Sequence, residues 1–225
     1  MATASHTGIS DAVQDYAKAI YSLHGRSEEA VPTSAIADRL GVSAASTSAM
    51  VKRLESLGLV KREPYHGVEL TTAGERVALE VIRHHRLLEL YLAEALGMPW
   101  DRVHDEAEVL EHAISPALSE LIAEKLGNPT HDPHGDPIPT ASGEIEEGKT
   151  RSLAELVDGE RGVFTRVSDS DPEMLRYLSD RGIERGATLE VVGREPFGGP
   201  LTVRVGGHVH ALGDQLACAM RVEPG

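Results

Sequence analysis

TSAIADRLGVSAASTSAMVKRLESLG, residues 33–58, decides how this chain is built. The first part, from Thr33 to Gly41, has the length and apolar spacing of a short helix, opened by Thr33 or Ser34 and stopped at Gly41. A second helix starts almost at once, with Ser43 as its N-cap and Gly58 as its stop. Two helices joined by so tight a turn make a helix-turn-helix. The runs LVKREPY and GVELT follow, two short β-like stretches around His66 and Gly67 that read as a hairpin wing. A helix-turn-helix with a wing is a winged helix.

The second helix carries a face suited to DNA. Ser43, Ala44, Ala45, Ser46, Thr47 and Ser48 are small and mostly hydroxylated. Short side chains let a helix end approach a groove, and hydroxyls and backbone N–H groups bond phosphate oxygens. Thr33 and Ser34 add hydroxyls, while Lys52, Arg53, Lys61 and Arg62 can bracket the backbone. No Arg, Asn or Gln stands in the first turns to read a base edge in a bidentate way, so specificity is expected from thymine methyls, water and DNA shape. The competing reading is a winged helix used only to bind protein.

Upstream, residues 10–24 place apolar side chains at 13, 16, 17, 20 and 23, which is helical spacing. Downstream, residues 72–96 read as one long helix opened by Thr71 or Thr72, with His85 and Glu89 spaced i, i+4 on one face. VHDEAEVLEHAIS, residues 103–115, then puts His104, Glu108, Glu111 and His112 along one stripe of one helix. Val103, Ala107, Leu110, Ile114 and Leu118 make the neighbouring apolar stripe, so four ionisable groups line the edge of a core. A solvated charged face and a cation site both fit that pattern. Pro116 either kinks the segment or starts a new helix.

NPTHDPHGDPIPTASGEIEEG is dense in Pro and Gly without a period and reads as a linker. From about residue 151 the pattern changes to short β-type runs, GVFTRV, TLEVVGR, LTVRV and HVHAL, interrupted by a DPEMLRYLSDRG helix. The fold class expected is α+β. Residues 1–71 form a winged helix-turn-helix, 72–130 an all-α domain, 131–150 the linker and 151–225 a small β-barrel.

Of 225 residues, 40% are hydrophobic, enough for packed cores, and no apolar run reaches membrane-spanning length. The N-terminus lacks the basic start and apolar core of a signal peptide. One cysteine, Cys218, excludes an internal disulfide and any thiolate-rich metal site. A cytoplasmic location is expected. The net charge of −14 argues against nucleic acid only until it is mapped. Residues 1–72 hold 7 Lys and Arg against 8 Asp and Glu, whereas the remainder holds 15 against 28. A nearly neutral, locally basic N-terminal domain can still bind phosphate.

With these parts in order, the chain resembles the diphtheria-toxin-repressor family of metal-dependent regulators. RHHRLLE (83–89), VHDEAEVLEH (103–112) and DPHGDPIP (132–139) carry the resemblance, at the family's separation and on a winged-helix chain. It implies a helical dimerisation domain, an SH3-like C-terminal domain, a homodimer and double-stranded operator DNA as partner. It also implies a primary metal site at Asp15, Glu108, Glu111 and His112 and an ancillary one at His85, Glu89 and His104. Iron-responsive members have methionine and cysteine where Asp15 and Glu108 stand; the manganese-responsive branch has an aspartate and a glutamate, as here. Oxygen donors suit Mn²⁺ better than sulfur does. Short manganese regulators carry a glutamate at the position of Lys18 and hold a two-metal cluster, so separate sites are expected here. Thr165 and Ser168 fall where the SH3-like domain of iron-responsive members supplies ligands, and Asp169 or Asp171 is the substitute.

The function expected is that of a manganese-dependent repressor of metal-homeostasis genes, with Fe²⁺ as the alternative metal and no membrane or small-molecule substrate. Without an ion, the carboxylates facing Asp15 would repel and hold the first helix loosely. A winged-helix regulator of a small organic ligand is one rival. A metal-dependent hydrolase is the other, and it lacks any recognisable nucleophile or phosphate loop.

Overall fold

In the computed structural model, residues 9–25, 29–63 and 67–225 are described and fall into two compact units. The first comprises the N-terminal segment to His85 together with residues 108–121 and 139–144. The second holds residues 86–107, 122–138 and 145–225. Among the described residues, no helix is long and apolar enough to cross a membrane.

In the first unit, α1 (Asp11–His24), α2 (Thr33–Leu40) and α3 (Ala44–Ser56) surround a core of Val13, Tyr16, Ile20, Val31, Ile36, Val51 and Leu54. Gly41 ends α2 in the left-handed conformation, at φ 64°, as its sequence position requires. Ser43 caps α3 by accepting the backbone N–H of Ser46 at 3.1 Å. The cap expected from Thr33 or Ser34 is not formed. Pro32 holds the N-cap position and both hydroxyl residues lie inside the helix, because a proline before Thr33 already fixes an extended entry.

The wing is β1 (Val60–Glu63) antiparallel to β2 (Gly67–Leu70), pairing Val60 with Leu70. His66, expected at its tip, lies outside the described residues. Val31 extends the ribbon through reciprocal 2.9 Å bonds with Val68. Gly67 must be glycine, since at φ 127° a Cβ would stand 2.7 Å from the Val31 carbonyl.

Helix α4 (Thr72–Leu96) starts where expected. Thr71 accepts from the Gly74 N–H at 3.2 Å and donates to the Gly58 carbonyl at 2.7 Å. Gly74 lets the helix press on the wing, as a Cβ there would lie 2.0 Å from the Leu59 oxygen.

The stretch 103–115 is not one helix. Helix α5 (Val103–Leu110) ends before Glu111, and α6 (Pro116–Lys125) begins after a turn. Ala113 and Ile114 both donate to Leu110, closing the tight last turn, and Ser115 caps α6 through the N–H of Leu118 at 3.2 Å. The ring of Pro116 disfavours helical backbone at Ser115, so the break is built into the sequence.

The second unit contains a six-stranded antiparallel sheet in the order β3-β8-β4-β5-β6-β7. Its strands are β3 (Arg151–Ser152), β4 (Arg161–Val167), β5 (Thr188–Arg194), β6 (Leu201–Val205), β7 (His208–Leu212) and β8 (Met220–Pro224). Helices α7 (Pro172–Ser179) and α8 (Asp214–Ala219) complete it, and bulges near Thr165 and Val192 bend the sheet around Phe164, Leu175, Leu189 and Val203. Strands β3 and β8 had no signal in the sequence, being too short or too mixed for alternation to show.

Residues 132–138, read as linker, are buried apart from half-buried Pro133. Val167 donates to the His134 carbonyl at 3.0 Å, and Gly135, at φ 93°, brings its backbone against Thr165. Arg185 donates to the carbonyls of Asp132, Pro133 and Thr165. The Pro and Gly density serves close packing on β4.

Candidate metal centres

In the first unit, α1 presents Asp15 and Lys18 toward the turn that follows α5. Asp15 Oδ1 stands 2.8 Å from His112 Nε2, and Glu111 Oε1 lies 3.5 Å from the same nitrogen. His112 Nδ1 meets Gln14 Oε1 at 2.6 Å, which leaves Nε2 as the atom facing the carboxylates. The bond to Asp15 holds the His112 imidazolium above its ordinary pKa, with burial opposing and Glu111 assisting. Asp15, Glu111 and His112 can therefore close on one cation.

Glu108 sits apart from this trio. Its Oε1 is 2.6 Å from Lys18 Nζ, which also bonds both oxygens of Glu111 at 2.9 and 2.8 Å. His85 Nδ1 stands 3.3 Å from the same ammonium and bonds Glu111 Oε2. His85, Glu108 and Glu111 form a second potential cation set, sharing Glu111 with the first. Burial lowers the Lys18 pKa, but the Glu111 and Glu108 carboxylates outweigh it and hold the ammonium above its usual value. The repulsion expected between metal-free carboxylates is thus relieved within the chain by Lys18.

In the second unit, His104 Nδ1 bonds Asp169 Oδ2 at 2.9 Å and Glu89 Oε1 at 3.3 Å. The Asp169 and Glu89 bonds push His104 up to about 10, burial opposing. For Asp169, burial raises the pKa, but the His104 bond and charge prevail and bring it down to about 2. Asp171, the other substitute considered, caps α7 by accepting the Glu173 N–H at 2.9 Å, and has a structural task of its own.

Asp132 and His134, which the Pro and Gly density of their segment places in a linker, join Glu89 here, all three buried. Asp132 Oδ1 accepts the N–H groups of His134 and Asp136, each at 2.9 Å, which turns Oδ2 away from the backbone. Burial, with Asp136 and Glu89 nearby, raises its pKa. His134 Nε2 donates to the Trp100 carbonyl at 2.7 Å. Its buried Nδ1 has no hydrogen-bond partner and faces Glu89 Oε2 across 3.7 Å. That gap is too long for a hydrogen bond. It suits two donors about 2.1 Å from one ion, which stand about 3 Å apart when adjacent and about 4 Å when opposite. The Asp-x-His spacing inside DPHGDPIP is the signal that could have found this pair.

The donors are carboxylate oxygens and imidazole nitrogens throughout. Cys218 is exposed on α8, 3.9 Å from Asp214, and contributes to none of these groups. A divalent ion of moderate hardness fits this chemistry, provided the imidazoles give up their protons.

On the winged helix, Thr33, Ser34, Ser43, Ala45, Ser46, Ser48, Lys52, Arg53 and Arg62 are exposed. Thr47 is a correction: it is fully buried, and its hydroxyl bonds the Ser43 carbonyl at 3.1 Å. Four residues after the cap, it falls on the inner side of α3. Arg62 lies 3.7 Å from Glu55, an exposed pair that phosphate can compete for.

Three family models match the chain. They are the N-terminal DNA-binding domain of iron-dependent repressors over residues 9–68, their metal-binding and dimerisation domain over 71–140, and the FeoA domain over 151–224. The diphtheria toxin repressor of Corynebacterium efficiens is 33% identical over 224 residues, 95% of each chain. The iron-dependent repressor IdeR of Mycobacterium leprae is 32% identical over 227 residues, 95% of this chain and 97% of its own. A solved manganese-dependent transcriptional repressor in complex with manganese superposes with a TM-score of 0.89 at 43% identity, covering 95% of this chain and all of that one.

Proposed function

The chain belongs to the iron-dependent repressor family, and on that premise we propose that it is a manganese-activated repressor binding operator DNA as a homodimer. The observation that carries this reading is the 2.8 Å approach of Asp15, on α1, to His112, beyond α5, within a donor set free of sulfur. Asp15, Glu111 and His112 would hold the activating ion, and Glu89, His104, Asp132, His134 and Asp169 offer donors for another. Mn²⁺ is the metal best matched, with Fe²⁺ and other divalent ions able to bind in vitro.

The mechanism follows from where α1 is packed. Val13, Tyr16 and Ile20 lock the helix into the winged-helix core, so the position of Asp15 fixes that of α3. Asp15 and the 111–112 turn would hold a divalent ion between them, and that tie would favour one orientation of the DNA-binding face. Gln14 orients the His112 ring, and Glu111 is the buried acceptor on which the other groups converge. Val109, Leu118 and Leu121 are exposed on α5 and α6, which supports pairing of two copies through the helical domain. Two winged helices then match two half-sites, while Lys52 and Arg53 hold phosphate. Catalysis is not part of this reading.

Operator binding titrated against free Mn²⁺, Zn²⁺ and, without oxygen, Fe²⁺ tests the proposal. Half-maximal binding at a defined Mn²⁺ concentration, abolished by chelation and in His112→Ala, is expected. Binding that survives chelation would overturn it in favour of an organic effector or a constitutive regulator.

A further inference from the structure

Glu111 stands one residue past the end of α5, where a helix leaves its last carbonyls without N–H partners. Ala113 and Ile114 both donate to the Leu110 carbonyl, and among the described residues no backbone N–H reaches the carbonyl of Glu111. The bond that this carbonyl receives comes from a side chain instead. His84 is 7% exposed on α4 and places Nδ1 3.3 Å from the Glu111 oxygen, a contact between residues 27 positions apart. A carbonyl can only accept, so Nδ1 is the protonated nitrogen of that ring.

We infer that His84 is a positioning residue of this centre: its Nδ1–H fixes the Glu111 peptide, and through it the direction in which Glu111 and His112 offer their donor atoms. This rests on the metal-binding reading above and deepens it. His84 is not one of the groups that can close on a cation; it acts through Glu111.

Two neighbouring histidines hold one glutamate at different atoms. His85 bonds the carboxylate at Oε2, while His84, one position earlier, bonds the backbone. A carboxylate held alone could still rotate about its peptide, and a peptide held alone would leave the carboxylate free to swing. With both held, the separations of His112 Nε2 from Asp15 Oδ1, 2.8 Å, and from Glu111 Oε1, 3.5 Å, are set by the protein itself. Gln14 aims the His112 ring from α1, whereas His84 fixes the turn that carries the ring. Burial makes the dependence strict. Without the His84 donor, the Glu111 carbonyl would be left unpaired in a buried place, and the turn would rotate to find a partner.

The test uses the full-length protein, with Mn²⁺ affinity and the spectrum of the bound ion both read by electron paramagnetic resonance. His84→Leu keeps bulk without an N–H. It should weaken Mn²⁺ at Asp15, Glu111 and His112 by about 10–100-fold and change the bound-ion spectrum. Binding at Glu89, His104, Asp132, His134 and Asp169 should be unaffected. His84→Asn, whose amide N–H can stand where Nδ1–H stood, should recover most of the affinity and the wild-type spectrum. Equal losses at both sets of donors, or no recovery in His84→Asn, would make His84 a packing residue and overturn the inference. A second measurement needs no variant to fold. Long-range proton–nitrogen correlation on wild type should show His84 as the Nδ1–H tautomer, and a bare Nδ1 would overturn the inference outright. His112→Ala separates all of this from the underlying reading. If that variant binds Mn²⁺ as wild type does, metal binding at this centre is itself wrong.

Discussion

Trp100 stacks on His134, with ring centroids 5.9 Å apart and planes inclined by 20°. The indole N–H donates to Ser179 at 2.6 Å, and the Trp100 carbonyl holds His134 Nε2, so the pair is fixed at both ends. Trp100 is the sole tryptophan of the chain and therefore a built-in reporter. Mn²⁺ bound by Glu89, Asp132 and His134 should quench its fluorescence, saturating with one ion. His134→Ala should remove most of the quenching while leaving the His112-dependent ion in place. Equal quenching in that variant would show that the buried trio does not bind the metal.

The His104–Asp169 pair should make the metal-free fold sensitive to pH in two directions. His104 is raised to about 10, so its contribution is complete below about pH 6.5 and fades as pH climbs toward 10. Asp169 is lowered to about 2, so its share is complete above about pH 4 and is lost as pH falls toward 2. Between about pH 4 and 6.5 the metal-free wild type should exceed His104→Gln by about 1 kcal/mol, discounted for partial exposure. For a chain of this size that is about 2–4 °C in melting temperature. Melting curves at pH 5.5 and 10 should show the difference shrinking at the higher value. Mn²⁺ competes with the His104 proton, so affinity at this set should rise with pH.

Gly135→Ala should be severely destabilising. At φ 93° a side chain is strained, and its Cβ would fall 1.9 Å from the Thr165 carbonyl oxygen, which belongs to backbone and cannot swing away. A loss of about 3 kcal/mol or more is expected, with faster hydrogen exchange at the Val167 amide that bonds His134. A variant that melts like wild type would mean that residues 132–138 are not held on β4 as described.

Metal preference should respond unequally to a sulfur ligand placed at position 15 and at position 108. Asp15 belongs to the set with His112, whereas Glu108 is bonded to Lys18. Asp15→Met should therefore move activation away from Mn²⁺ and toward Co²⁺ or Ni²⁺ by itself, with Glu108→Cys adding little. Gln14→Ala, which frees the His112 ring, should weaken Mn²⁺ binding by about 10–100-fold. DNA binding against free metal for each ion decides it. A larger shift from Glu108→Cys than from Asp15→Met would reverse the assignment.

The winged helix was the most legible part of the sequence, since Gly41, Ser43 and Gly58 punctuate it locally. Legibility failed where distant segments decide local structure. The break after Leu110 is hidden by a helical pattern that runs through Glu111 and His112, while the new helix at Pro116 is one of the two readings that its proline allows. Thr47 reads as a DNA-facing hydroxyl beside its neighbours, but only its register on α3 turns it inward. The site residues on α1, α4 and α5 followed from resemblance and spacing. Asp132 and His134 did not, because a Pro- and Gly-rich run looks the same whether it hangs in solvent or packs on a strand.

Glu111 gathers Asp15's partner His112, Lys18 and His85, and those bonds cross most of the N-terminal half of the chain; Lys18 and Glu111 alone are 93 positions apart. Such long-range closure is slow and comes late in folding. Residue 15 leaves the ribosome well before residue 111, so Asp15, the proposed donor of α1, spends that interval without its counterparts. The proposed cation site is therefore a property of the finished fold, and an ion arriving there would slow unfolding far more than it would speed assembly. On the proposed reading a nascent chain would be blind to manganese until synthesis has passed the turn after α5.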